Sequence, residues 1–121
     1  MNKCVSIYKD DEKIADQVLL ADTFFKRMFG LMPVKILEEN KGLLICPCKQ
    51  VHTFHMKYAI DVVFLSKGSF IVHIEHALVP SRITGYFKHA ETILELNSGE
   101  AERHKLKLGE RLLIKPYEKK L

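Results

Sequence analysis

The most continuous apolar run in the chain, Val62-Val63-Phe64-Leu65, is entered through a carboxylate, Asp61. Apolar residues without polar alternation, β-branched and aromatic among them, read as a buried strand. A carboxylate at the mouth of such a strand must reach solvent or be held by donors. His52 and Thr53 are the nearest candidates in sequence. The segment 46–65 also holds two of the three cysteines and two of the six histidines, so polar chemistry and buried structure meet there.

Other short apolar stretches flank it, each stopped by turn residues. Residues 3–8 favour β structure, Lys9-Asp10-Asp11-Glu12 makes a polar turn, and 14–20 returns, which predicts an N-terminal hairpin. In its second arm Ile14, Asp16, Val18 and Leu20 are expected on one face, with Ala15, Gln17 and Leu19 on the other. Asp22 can cap a helix over 22–29, with Phe24, Phe25, Met28, Phe29 and Met32 as a core stripe and Gly30 and Pro33 beyond its end. Asn40-Lys41-Gly42 reads as a turn, and Leu43-Leu44-Ile45 as a short strand that Pro47 stops. After 61–65, Ser66-Lys67-Gly68-Ser69 leads into a return arm over 70–79 with Phe70, Val72 and Ile74 on one face. Residues 91–96 alternate with Thr92, Leu94 and Leu96 on one side, Ser98 can cap a helical turn over 100–105, and a last strand over 111–115 ends at Pro116. The expected fold is mainly β (α+β): a compact antiparallel barrel or sandwich of about seven to eight short strands with one or two small helices, in a single domain over 1–121.

Size and charge narrow the function classes. A chain of 121 residues, 47% hydrophobic and 28% charged, can bury a core without disulfides or a structural metal. No apolar stretch approaches the roughly 18 residues of a membrane span. The start, MNKCVSIYKDDEK, lacks the apolar centre of a secretory signal, and three cysteines suit reduced thiols, so a cytoplasmic location is expected. The net charge of +4 resides in residues 101–121, where seven Lys/Arg oppose three Glu. These charges alternate with Leu and Ile, and only Tyr117 is available for stacking, so the run reads as a solvated face and nucleic acid is not an expected partner.

Three chemistries can be written on the central segment. Cys46, Cys48, His52 and His55 are four zinc-competent ligands within ten residues, but extended chain sends His52 and His55 to opposite faces, and no metal is expected. Cys48 assisted by His52 would give a thiol nucleophile, and His52 oriented by Asp61 an acid–base pair. The isolated glycines match no phosphate loop, and no cofactor is implied. A structural alternative has Thr53 bonding a turn, His52 as a satisfied interior histidine, Asp61 capping the bend between Tyr58 and Ile60, and Glu95 solvated. The preferred expectation is a non-catalytic ligand-binding or accessory module, with His52, Thr53, Asp61 and Glu95 lining one mouth for a small molecule or protein. A small hydrolytic or thiol-dependent enzyme, using His52 with Asp61 or Cys48, is the alternative.

The strings CPC, VHTFHM and IDVVFL, then LEL with Gly99 shortly after and Gly109 before a final strand, resemble the bacterial and archaeal domain-of-unknown-function 192 family. FFKRMFGLM upstream extends the resemblance over about 21–114. The matching positions are His52, Thr53, Met56, Asp61, Phe64, Glu95 and Gly99. His55 stands where the family more often has an aromatic residue, and the Cys46-Pro47-Cys48 pair is not uniform there. The resemblance implies a compact β-rich fold of barrel or sandwich type and supplies no reaction.

Overall fold

The structure is a computed structural model that describes residues 3–23, 37–38 and 40–118. β1 (Cys4–Lys9) and β2 (Glu12–Ala21) form the N-terminal hairpin across Asp10-Asp11. Their register advances from Val5–Val18 to Ile7–Ala15 and then Tyr8–Lys13, so β2 carries extra residues at two bulges. The bulges break the expected alternation. Ile14, Ala15 and Val18 all enter one core cluster, whereas Asp16 stays half-exposed, 3.2 Å from Lys13 Nζ.

β3 (Lys41–Ile45) runs parallel to β2. Gly42 lies inside this strand and not in a turn, because a Cβ there would stand 2.5 Å from the Glu95 carbonyl oxygen of the neighbouring strand. β4 (Ile60–Ser66), β5 (Ile71–Leu78), β6 (Ala90–Asn97), the single-turn helix α1 (Glu100–Arg103) and β7 (Leu113–Pro116) follow. The strands make one sheet in the order β5-β4-β6-β3-β2-β1-β7, antiparallel except at β2–β3. The fold is therefore mainly β, with seven strands and one short helix among the described residues. From Phe24 onward the helix expected over 22–29, with its Phe and Met stripe, lies outside those residues.

The sheet is not closed, yet its ends approach. Phe70, ahead of β5, bridges Arg111, ahead of β7, and Ile71 N–H donates to the Glu110 carbonyl at 2.8 Å. One cluster unites residues from near both edges, including Ile7, Val63, Leu65, Ile71, Leu94, Leu96 and Leu112, and so fills the concave side. A second cluster on the opposite face holds Leu43, Ile45, Val62, Phe64 and Ile93, with Val51, Met56, Tyr58 and Phe87 packed among them. Because β4 and β6 are central strands covered on both faces, their side chains are buried in either direction.

Candidate functional site

Asp61 is wholly buried at the start of β4, and its carboxylate is fully engaged. Oδ1 accepts from Ala77 N–H at 2.8 Å, while Oδ2 accepts from Gly99 N–H at 3.0 Å and Ala101 N–H at 2.9 Å. The donors are thus neither His52 nor Thr53, nor the bend between Tyr58 and Ile60; they come from β5 and the entry to α1. The N-cap of α1 is Gly99 at φ 93°, not Ser98, and the aspartate of another strand satisfies the amides that a capping side chain would take. At the far end of α1, Arg103 holds the buried Glu100 through two bonds of 2.7 and 2.9 Å, and the His104 ring meets Glu12 at 3.1 Å.

Thr53 is equally committed. Its hydroxyl donates to the Val79 carbonyl at 2.7 Å and accepts from Arg82 N–H at 2.9 Å, and its own N–H donates to the Arg82 carbonyl at 2.8 Å. It locks the loop before β4 to the loop after β5. His52, next to it, points outward: the ring is exposed, stacks on Phe54 at 4.9 Å between centroids, and accepts from Phe54 N–H at 3.2 Å through Nδ1. No hydrogen bond joins His52 to Asp61 or to Cys48 among the described residues. The Cys46–Pro47 bond is cis, and Cys48 Sγ donates to the Gln50 carbonyl at 3.1 Å. Cys46, Cys48, His52 and His55 do not gather into a metal-binding group, nor do any three His, Cys, Asp or Glu among the described residues.

Glu95 is the residue whose environment departs furthest from expectation. It is not solvated but 4% exposed, on the convex face of β6 between Leu43 of β3 and Val62 of β4. Burial in these apolar surroundings pushes its carboxyl up to about 8 from an ordinary 4.5. Tyr58 packs against the same face, and although its ring is half-buried, its hydroxyl is closed off from solvent and has no hydrogen-bond partner among the described residues. Burial, and then the charge of Glu95, raise the phenol as well. Tyr58 escaped the sequence reading because nothing in Lys57-Tyr58-Ala59 distinguishes it. For Glu95 a signal existed: Ile93-Leu94-Glu95-Leu96 is nearly continuous apolar chain, and such a run, buried on both faces, takes the carboxylate within it inside.

A small, curled, mostly antiparallel sheet with a polar centre under its convex face describes a compact β-rich domain, and solved structures share that architecture. One, a protein of unknown function from Novosphingobium aromaticivorans, superposes with a TM-score of 0.80 at 19% identity, covering 93% of this chain and 84% of its own. Another, from Sinorhizobium meliloti and provisionally called a transcription regulator, superposes with a TM-score of 0.82 at 21% identity, covering 94% of each chain. At these identities the likeness is one of fold. The sequence matches the domain-of-unknown-function 192 profile, described as an uncharacterized ACR, over residues 5–114. The chain belongs to that family. No curated protein matches it.

Proposed function

We propose that the chain is a non-catalytic binding or accessory module whose ligand completes the hydrogen bonding of Glu95 and Tyr58. The observation that carries this reading is the Tyr58 hydroxyl, buried without a partner among the described residues on the face that holds the buried Glu95 carboxyl. A buried polar atom left unpaired costs about 1–3 kcal/mol, which a domain retains where something other than folding uses the group. A neutral carboxyl and a phenol in apolar surroundings both donate and accept, which suits a small molecule with a compact polar head. In this reading Thr53 and Asp61 build the walls, because their polar atoms are already spent on backbone groups. His52 stands at the surface on the same loop as Tyr58.

The alternative, a small enzyme using His52 with Asp61 or Cys48, would need one of these pairs within hydrogen-bond reach; the exposed His52 ring accepts from Phe54 N–H, and the Asp61 carboxylate accepts from three backbone donors. Native mass spectrometry of the purified protein, with Tyr58→Phe in parallel, tests the binding reading. A retained small molecule is expected in the wild type and lost in the variant, while the melting temperature of the variant holds or rises. A drop in stability of more than about 1 kcal/mol in Tyr58→Phe would mean that the hydroxyl has a structural partner, and would remove the basis of the proposal.

A further inference from the structure

The segments 46–60 and 76–90 contain no Asp or Glu, yet hold Lys49, Lys57, Arg82 and Lys88 and four of the six histidines. They are distant in sequence and paired in space. Thr53 N–H donates to the Arg82 carbonyl and Thr84 N–H to the Val51 carbonyl, so His52 and Ile83 are directly opposed across a short antiparallel ribbon. Directly opposed residues project to the same side, and Val51, Thr53 and Thr84 take the buried side. The outer side carries the His52–Phe54 stack and Ile83, which is 60% exposed. Val79 and Tyr86, on the same loop as Ile83, are exposed as well, at 45% and 65%. Four of the six large hydrophobic residues that stand exposed among the described residues therefore belong to these two loops.

We propose that this face docks on an anionic lipid surface. Exposed apolar side chains rimmed by cations mark an interaction surface, and the excess of cations in the two segments, which only Glu75 and Glu91 adjoin, favours a negative partner. A second copy of the chain would present the same positive face and be repelled. A nucleic-acid strand would find phosphate contacts and rings to stack on, but would leave Ile83 and Val79 in water. An anionic bilayer uses all of them: Ile83, Val79 and Phe54 enter the boundary of the acyl chains, Tyr86 and His52 lie among headgroups, and Lys57, Arg82 and Lys88 meet lipid phosphate. Lys49 stays out of the contact, its ammonium donating to the Lys88 and Ala90 carbonyls at 2.9 and 2.6 Å. The ribbon is already pinned by Thr53, so little ordering opposes docking.

Co-sedimentation of the full chain with vesicles of phosphatidylcholine, and of phosphatidylcholine mixed equally with phosphatidylglycerol, tests the proposal. Binding to the mixed vesicles alone is expected, weakening as salt is raised. Ile83→Asp should cut it by about ten-fold or more, since it replaces a buried aliphatic contact with a repelled charge. Arg82→Ala should cut it about five-fold, as expected for one cation near an anionic surface. Leu108→Asp, equally exposed but outside the face, should leave it unchanged. Circular dichroism confirms that each variant is folded. Absence of binding to the mixed vesicles, full binding by folded Ile83→Asp, or equal loss in Leu108→Asp overturns the proposal. So does a single-stranded oligonucleotide bound through Arg82 in place of the vesicles.

Discussion

Replacing Glu95 by Gln should make the protein more stable at neutral pH and change how its stability depends on pH. In the unfolded chain the carboxyl titrates near 4.5, and in the folded protein near 8. Between those values the folded state holds a proton that the unfolded state has released, so unfolding free energy falls as pH rises, by about 1.4 kcal/mol per unit for this one group. Below the lower value both states are protonated and the group contributes nothing. By pH 7 the accumulated penalty is about 3 kcal/mol, and it levels off near pH 8 at about 5 kcal/mol. Gln keeps nearly the shape of the protonated acid, at the cost of one extra N–H donor, and has no proton to lose. Urea unfolding followed by far-UV circular dichroism, at intervals from about pH 5 to about pH 8.5, measures both curves, and the absence of tryptophan makes the backbone signal the practical probe. Every other ionisable group is common to both proteins and cancels in the difference. The expected difference widens in favour of Glu95→Gln up to about pH 8 and then levels off. A difference that stays flat, or that favours wild type at the alkaline end, would mean that Glu95 is ionised and paired, and the argument from burial would fail.

Asp61→Asn should lower stability by about 3 kcal/mol or more, because the amide nitrogen must face one of the three N–H donors that the carboxylate now accepts, and the unfolding midpoint in urea reads this directly. His52→Ala, which removes an exposed ring and one long bond to Phe54 N–H, should stay within about 0.5 kcal/mol of wild type in the same assay; an equal loss in both variants would contradict the division drawn between them. Gly42→Ala should cost about 1–3 kcal/mol by thermal melt, since its Cβ would press on the Glu95 carbonyl oxygen; an unchanged melting temperature would show that β3 and β6 separate without penalty.

Much of the sheet was legible because apolar runs and turn residues are local signals. The hairpin across Asp10-Asp11, the strand at Leu43–Ile45 and the alternation of Leu94 and Leu96 toward the concave core all follow from patterns a few residues long. Side-chain direction in β2 was not legible, because two bulges decided by pairing with β1 shift Ile14 and Ala15 into the same cluster. Gly42 has the local pattern of a turn residue, because the demand for a missing Cβ comes from β6, more than fifty residues later. The site failed in the same way. The need of Asp61 for donors could be read from the apolar run behind it, but the donors that answer it, Ala77, Gly99 and Ala101, follow only from tertiary structure.

The two buried carboxyls are one strand apart, and their different fates argue for different roles. Asp61 pairs with Leu96 in the β4–β6 ladder, and Val62 pairs with Glu95, so the carboxylates enter the sheet at adjacent steps of one register. Burial is answered for Asp61 by three backbone donors and for Glu95, which keeps 4% of its surface exposed, by none among the described residues. Selection for stability alone would replace a buried glutamate that lacks donors by Leu or Met, which fill similar volume without the ionisation penalty. A donor-rich end of β4 that fixes the register, beside a donor-poor position on β6, is what a frame holding one reactive or ligand-facing group requires. On the binding reading proposed above, Asp61 fixes the strand beside Glu95, and the ligand is the reason a carboxyl is kept on β6.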